Sequence, residues 1–324
     1  MKKIILRTLI SLFFIGFLFY LVRGDLPQIA KVLKNINWRL FIISLVLFLL
    51  AVLAMARRLQ LIFEAEEIPI TFLDSSSLTF IGFFFNNFLP TSVGGDIVKA
   101  MCAARATGES VKSLTSVLMD RIFGLFTFIM IPSLSLLFFI KEVHNPVVPV
   151  ITYSLLIFSI FFFIVLFDRR IARRLRFIEF FLNKFRLGQR VREIYEGMHK
   201  FKDHKALIVK AMSLSIFGQS VNILVLYVLA LALGAKTNVM YFYLLVPVVH
   251  LISMLPSLNG LGIREGGYIY FLSPYIGREV AAALGILWLG FLILSSVIGG
   301  VVYLVRHDYH IRFKEAAVSS ESGG

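Results

Sequence analysis

Long apolar segments separated by short polar connections dominate the pattern of the chain. Runs such as 41–56, 147–167 and 280–305 approach or exceed the roughly 20 residues that a helix needs to cross a bilayer. The runs do not alternate between apolar and polar positions, so they do not indicate strands. Lipid offers no hydrogen-bond partner to a free backbone amide, which leaves helices as the way to cross. The pattern therefore predicts an all-α, polytopic integral membrane helical bundle.

Six segments are predicted to span the membrane completely. The first, 4–22, has a basic start and an apolar core like a signal peptide. No small-residue cleavage site follows it, so we interpret it as a retained span. Trp38 precedes the second span, where it can anchor the helix at the interface. The predicted spans are 4–22, 40–56, 114–140, 147–167, 206–233 and 280–305.

The positive charge of the chain is concentrated in one connection. Hydrophobic residues make up 58% of the 324 residues and charged residues only 16%, yet the formal net charge is +14. Residues 168–205 contain 12 Lys or Arg and 5 Asp or Glu, a net charge of +7 that is half of the total. A basic loop between two spans is typical of the cytoplasmic face. Its interleaved Phe residues indicate an interfacial amphipathic helix on anionic lipid. Because no nucleic-acid-binding motif accompanies the positive charge, we expect no nucleic acid partner.

The placement of positive charge also predicts the direction of each span. The N-terminus, the Arg57-Arg58 pair after the second span, the basic loop and Arg306 are all expected in the cytoplasm. Residues 70–111 must then start and finish inside, and residues 241–276 must start and finish outside. We expect about six full spans plus two re-entrant hairpins in an inverted repeat. Eight full spans are the alternative, because residues 70–89 are long enough to cross.

The turns of the two predicted hairpins resemble each other. Gly- and Pro-interrupted apolar segments at matching positions of two halves are a pointer to a transporter's binding site. Backbone freed at such turns must be buried by protein or line a wet cavity. We interpret 1–312 as one transmembrane domain with halves at about 1–167 and 206–306, followed by a disordered tail, 313–324. The turn residues are Pro90, Gly94 and Gly95 in the first hairpin and Pro256, Gly260 and Gly262 in the second.

Ionisable and amide side chains flank both turns and one apolar span. Such residues are costly inside a membrane and by default suggest function. Arg121 and Arg264 offer paired donors that suit phosphate oxygens. The other interpretation is internal pairing, of Arg121 with Asp96 or of Arg264 with Glu265, and the two can coexist. We predict that a lipid head group is bound by Arg121, Arg264, Lys99, Asn87 and Asn259, with Asp96, Asp120 and Glu265 as charge partners.

Recognisable catalytic and metal-binding motifs are missing from the sequence. Cys102 is the only cysteine, which excludes an intramolecular disulfide and a Cys-cluster metal site. The sequence Gly94-Gly95-Asp96 lacks the Gly-Lys-Ser/Thr of a P-loop, and no Ser lies in a nucleophile elbow. We interpret His250 as a packed core residue rather than a proton relay. We therefore predict no catalytic residue, no metal and no cofactor.

Three motifs carry a resemblance to a known family. They are Asn86-Asn87-Phe88-Leu89-Pro90 with Gly94-Gly95-Asp96, then Asp120-Arg121-Ile122-Phe123-Gly124, then Leu255-Pro256 with Asn259-Gly260-Leu261-Gly262-Ile263-Arg264-Glu265-Gly266. In this order they resemble the membrane domain of the lysylphosphatidylglycerol synthase family, also described as flippase-like, over about residues 6–306. The resemblance implies a domain that binds phospholipid or polyprenyl-phosphate-type lipids and moves them between leaflets. Full-length synthases of that family carry a soluble aminoacyl-transferring domain, so we do not expect this chain to make lysylphosphatidylglycerol by itself.

The leading functional hypothesis is a flippase or lipid transporter in the cytoplasmic membrane, with both termini in the cytoplasm. The alternatives are a membrane-embedded glycosyl- or aminoacyl-transferase, with Asp96 or Glu265 as general base, and a partner subunit that recruits a soluble synthase. The expected partners are membrane lipids, either anionic phospholipid or lipid-linked phosphate. Two further partners are compatible with the sequence: a soluble synthase and a second copy of the chain.

Overall fold

The fold is a bundle of helices, as the apolar pattern predicts. The computed structural model describes residues 24–88, 94–140, 147–167, 196–199, 201, 204–254 and 260–309. Predictions that fall on the first span, on most of the basic loop and on the tail 313–324 lie outside these residues. The helices are α1 Leu26–Lys34, α2 Trp38–Ala65, α3 Phe72–Phe88, α4 Gly94–Thr107, α5 Ser110–Phe139, α6 Val147–Phe167, α7 Lys205–Ala232, α8 Val239–Ile252, α9 Ile263–Ile276 and α10 Arg278–Val305.

Long apolar helices form the frame of the bundle. Within the described residues, α2, α5, α7 and α10 are long and apolar enough to cross a membrane, with 28 or 30 residues each. At about 1.5 Å per residue, each is roughly 42–45 Å long and exceeds the roughly 30 Å hydrocarbon core. Helix α6 covers the fourth predicted span with 21 residues. The exposed face of α10 is apolar, as contact with lipid requires, and includes Ile286, Ile293, Val297, Val301 and Leu304.

Two pairs of shorter helices lie within this frame. Helices α4, α8 and α9 have 14 residues each, and α3 has 17. Their lengths of roughly 21–26 Å are less than the roughly 30 Å of the hydrocarbon core. Helices α3 and α4 pack against each other as one hairpin, and α8 and α9 as a second. The predicted turns at Pro90 and Pro256 lie outside the described residues.

The two hairpins open toward opposite ends of α10. Just beyond the end of α10, Tyr309 contacts both arms of the α3–α4 hairpin. Its hydroxyl donates to Asp74 Oδ1 at 3.0 Å, and its carbonyl accepts from Cys102 Sγ at 3.3 Å. Near the start of α10, the rings of Tyr241 and Tyr275 stack with centroids 3.8 Å apart and join the first turn of α8 to the last turn of α9. An inverted pair of hairpins requires this arrangement; re-entry into the bilayer and an internal repeat remain predictions.

A polar cluster ties the end of α10 to the start of α3. Arg306 donates to Asp74 Oδ1 at 2.6 Å and to Ser77 Oγ at 3.3 Å. Burial and the neighbouring Asp74 carboxylate raise the pKa of Tyr309 above its ordinary value. The Tyr309 hydroxyl therefore keeps its proton and donates to Asp74, which holds the open end of the α3–α4 hairpin against α10.

Glycines let the α3–α4 hairpin lie backbone to backbone with its neighbours. A Cβ added at Gly95 of α4 would overlap the carbonyl oxygen of Gly82 in α3. A Cβ added at Gly299 of α10 would overlap the carbonyl oxygen of Phe80, also in α3. Small residues at helix interfaces are typical of membrane bundles, where close packing rather than water exclusion drives association. Helix α3 is thus held between α4 and α10 by contacts that tolerate no side chain.

Gly299→Leu is expected to destabilise the bundle strongly, because the new side chain must push α10 away from the α3 backbone. Overpacking of this kind costs about 1–3 kcal/mol or more. The matched control is Gly290→Leu on the same helix, where nothing lies within 4 Å of an added Cβ. Thermal unfolding in detergent should show a clear loss for Gly299→Leu and little change for Gly290→Leu. Equal melting temperatures would contradict the close packing of α3 on α10.

The predicted topology places the two open ends on opposite sides of the membrane. In a Cys102→Ser background, Glu109→Cys reports the α4–α5 connection and Lys236→Cys the α7–α8 connection; both positions are exposed. A membrane-impermeant thiol reagent added outside intact cells should label Lys236→Cys and leave Glu109→Cys unlabelled until the membrane is opened. Labelling of both positions from one side would exclude the inverted arrangement.

Candidate functional site

A cavity of about 230 Å³ lies in the centre of the bundle. Helices α2, α3, α5, α7, α8, α9 and α10 all contribute to its wall. Its volume is slightly below the roughly 300–1,000 Å³ of typical small-molecule pockets, so it suits a head group rather than a whole lipid. Aromatic residues line one part of the wall, among them Phe48, Phe83, Phe128 and Trp288. The polar lining residues are Arg58, Asn86, Asn87, Arg121, Thr127, Ser215, Gln219, Asn222, His250, Ser253 and Arg264.

The inner ends of both hairpins reach this cavity. On α3, Asn86 accepts a hydrogen bond from the Gly95 N–H at 2.8 Å, which joins the last turn of α3 to the first turn of α4. The next residue, Asn87, donates to the Leu292 carbonyl at 3.3 Å and to Ser296 Oγ, so it anchors α3 to α10. The sequence predicted Asn87 as a ligand of the head group. Asn87 lines the cavity, and its side-chain amide also anchors α3 to α10.

A buried ionic network underlies one side of the cavity. Arg58 donates to Asp120 Oδ1 and to Ser215 Oγ, each at 2.7 Å, which joins α2 to α5 and α7. Lys99 lies 3.3 Å from Asp96 and 3.8 Å from Asp120, so it connects α4 to α5. Burying such charges is costly unless each one is paired, so the contacts between these four helices are needed to keep the charges inside the bundle.

Arg121 closes the network at the cavity wall. Its guanidinium lies 3.3 Å from Asp96 Oδ2, the pairing that the sequence suggested. The Arg121 side chain is 30% exposed, whereas those of Arg58 and Lys99 are 6% and 8% exposed. Arg121 is therefore the most accessible cation of this network.

The start of α9 brings a further arginine to the cavity from the opposite hairpin. Gly262, the residue before α9, has a φ of 82°, a left-handed conformation that favours glycine. Its N–H donates to Glu265 Oε2 at 2.7 Å, which caps the helix. Arg264 donates to Glu265 Oε1 at 2.6 Å, which is the second pairing that the sequence suggested. Arg264 also lines the cavity, although only 5% of the residue is exposed.

Within the described residues, four cations, Arg58, Lys99, Arg121 and Arg264, contact three carboxylates, those of Asp96, Asp120 and Glu265. The three arginines among them line the cavity. Guanidinium groups offer paired hydrogen-bond donors, so this lining suits an anion.

The aromatic part of the wall includes His250. Its Nε2 lies 2.7 Å from the Tyr268 hydroxyl, its ring stacks on Trp288 with centroids 5.8 Å apart, and the edge of Phe128 lies near. His250 is therefore packed, as the sequence suggested, and in addition it lines the cavity.

The structure separates the predicted site residues into groups. Arg121, Arg264 and Asn87 line the cavity. Lys99 does not line it and pairs instead with Asp96 and Asp120. Gly94 and Gly95 begin α4, and Gly260 and Gly262 precede α9, all next to the cavity-lining ends. Asn259, Pro90 and Pro256 lie outside the described residues.

One structural interpretation from the sequence is wrong. We expected Arg58, together with Arg57, to follow the end of the second span as a cytoplasmic flank. Helix α2 instead continues to Ala65, and Arg58 points into the bundle, where it pairs with Asp120, while Arg57 stays exposed and pairs with Glu64. Adjacent positions on a helix face different directions, so one of two neighbouring arginines can be buried.

Sequence reasoning also missed Gln219 and Asn222, which line the cavity from α7. Both lie in a long apolar run, and amides at that spacing share one helix face, which is a signal that could have found them. Within the described residues, no group of three His, Cys, Asp or Glu could hold a metal ion. The absence of a cofactor stays a prediction.

Asp120→Ala should destabilise the protein by about 3–5 kcal/mol, because it leaves Arg58 and Lys99 buried without their shared carboxylate. The control is Glu64→Ala, which removes a partner of Arg57 in a pair whose side chains are 46% and 43% exposed; we expect a change of at most about 1 kcal/mol. Thermal or denaturant unfolding in detergent distinguishes the two. Similar small losses for both variants would show that the ionic network is not structural.

Comparison with known proteins gives a consistent family assignment. Residues 4–300 match the family model described as the lysylphosphatidylglycerol synthase TM region. A UPF0104 membrane protein of Methanocaldococcus jannaschii is 24% identical over 323 residues, with 94% of this chain and 95% of that protein covered. No solved structure matches the chain.

Proposed function

Because the chain belongs to the lysylphosphatidylglycerol synthase transmembrane-region family, we propose that it moves an anionic lipid between the two leaflets. The lipid is a phospholipid or a polyprenyl-phosphate-type lipid whose phosphate binds in the central cavity. The observation that carries this proposal is the convergence of Arg58, Arg121 and Arg264 on one cavity between the inner ends of two oppositely opening hairpins. Guanidinium groups suit phosphate because they offer paired donors.

The pairing of the cavity arginines is compatible with a phosphate ligand. Arg121 and Arg264 are both paired with carboxylates. A guanidinium has five N–H donors, so a phosphate can accept from it without breaking the internal pair. Binding and internal pairing therefore coexist in this proposal.

The size of the cavity supports transport of the head group with the acyl chains left in the bilayer. A volume of about 230 Å³ holds a head group and excludes two acyl chains. We propose that the α3–α4 and α8–α9 hairpins enter the membrane from opposite sides and open the cavity to each leaflet in turn. The protein is a multi-pass membrane protein. We propose that it lies in the cytoplasmic membrane with both termini in the cytoplasm. We also propose that a gradient, or the lipid's own concentration difference, supplies the energy.

A membrane-embedded transferase has less support from the geometry. A general base needs a free carboxylate, but Glu265 accepts hydrogen bonds from Gly262 and Arg264, and Asp96 is paired with Lys99 and Arg121. These contacts favour structural and electrostatic roles for both carboxylates. The third hypothesis, recruitment of a soluble synthase, depends on the basic loop, and most of that loop lies outside the described residues.

Arg264→Ala is expected to lower the rate of lipid movement about tenfold or more, because a hydrogen bond to a charged group contributes about 1.5–3 kcal/mol. The assay uses purified protein in liposomes that contain acyl-labelled fluorescent phosphatidylglycerol, with dithionite quenching to count the label in the outer leaflet.

The matched control is Arg278→Ala, which removes an exposed pair with Asp25 at the far end of the bundle and should move lipid at the wild-type rate. Gel filtration and melting temperature confirm that each variant is folded. Wild-type rates in a folded Arg264→Ala variant would remove Arg264 from the site, and no lipid movement by the wild-type protein would defeat the proposed function. Product formation that requires a donor substrate would favour the transferase instead.

A further inference from the structure

Helix α7 carries a polar stripe along the cavity in an otherwise apolar stretch. Ser215, Gln219 and Asn222 are spaced four and three residues apart, so they share one face of the helix. Ser215 lies at the charged side of the cavity, because its hydroxyl accepts from Arg58. From there Gln219 is about 6 Å and Asn222 about 10 Å further along the helix axis, at about 1.5 Å per residue. The stripe therefore leads from Arg58 toward the C-terminal end of α7.

Two atoms of this stripe have unused hydrogen-bonding capacity. Gln219 Nε2 and Asn222 Oδ1 are buried and have no hydrogen-bond partner among the described residues, and Gln219 as a whole is only 9% exposed. Neighbouring polar groups on the wall are engaged: Ser215 with Arg58, and His250 with Tyr268. Buried polar atoms normally have partners, and an unpaired donor and an unpaired acceptor in a cavity wall indicate a ligand that supplies both.

We propose that Gln219 and Asn222 form a second subsite, which binds a hydroxyl group of a lipid head group; this inference rests on the proposed function. A hydroxyl can accept from the Gln219 Nε2–H and donate to Asn222 Oδ1 at the same time. An ammonium has no acceptor for Gln219, and phosphatidic acid has no group beyond its phosphate that extends from the arginines to either amide. With its phosphate on the arginines, a hydroxylated head group such as a glycerol or sugar extends along α7 to reach both amides.

The test compares the movement of three acyl-labelled lipids in the same liposomes: phosphatidylglycerol, phosphatidic acid and phosphatidylethanolamine. The wild-type protein should move phosphatidylglycerol at least tenfold faster than the other two. In the Gln219→Leu, Asn222→Leu double variant this ratio should fall to nearly one. The double variant should melt no lower than the wild type, because replacing unpaired buried polar groups by apolar groups of similar size is neutral or stabilising. A purely structural role of the amides predicts a lower melting temperature instead.

The matched control is Gln60→Leu, which makes the same exchange on α2, where Gln60 accepts from Arg57 outside the cavity; it should keep the wild-type preference. Gln219→Met, which keeps a similar size and removes the donor, provides a second variant if the double variant does not accumulate, and it too should lose the preference. Equal movement of the three lipids by the wild type, or an unchanged preference in either folded variant, would overturn the second subsite while the proposed transport stands. No movement of any lipid by the wild type would defeat the proposed function itself.

Discussion

Charge buried inside a lipid-embedded bundle must be paired, and the network of Arg58, Asp120, Lys99 and Asp96 is where this constraint acts on the protein. The bilayer cannot solvate these groups, so each helix that carries one must meet its counter-charge on another. The network joins α2, α4 and α5 directly, and Ser215 brings in α7. Arg121, at the edge of this network, is held at the cavity wall by its pair with Asp96. In the proposed function, such a preorganised donor binds the phosphate without having to rearrange.

Close helix packing adds the second constraint. Gly95 and Gly299 let the α3 backbone lie directly against α4 and α10, so the inner end of the α3–α4 hairpin has a defined depth in the bundle. The capped start of α9 gives Arg264 an equally defined position from the other hairpin. Because the hairpins open at opposite ends, a small movement of either one relative to the frame would change access to the cavity from one side. This links the packing of the helices to the proposed alternation between leaflets.

The sequence predicted the helical class and the spans that correspond to α2, α5, α7 and α10, because crossing lipid leaves few solutions to the backbone. It also singled out Arg121 and Arg264, which line the cavity, since charged residues are rare in apolar surroundings; their role in binding a head group stays a prediction. It could not distinguish Arg58 from Arg57, because the choice depends on how far α2 continues and which way it faces. Gln219 and Asn222 escaped notice for a related reason: an amide in a span is less conspicuous than a charge, and its unused donor or acceptor is visible only in three dimensions. The structural role of Asn87 likewise depends on Leu292 and Ser296, which are distant in the chain.

The most direct test of the central claim is a structure of the protein determined in nanodiscs that contain phosphatidylglycerol. Transport through the central cavity predicts phosphate density there within hydrogen-bonding distance of Arg121 and Arg264, with acyl chains leaving between the helices toward the bilayer. A cavity without a head group, together with Arg121 and Arg264 far apart and lipid only at the outer surface, would contradict it.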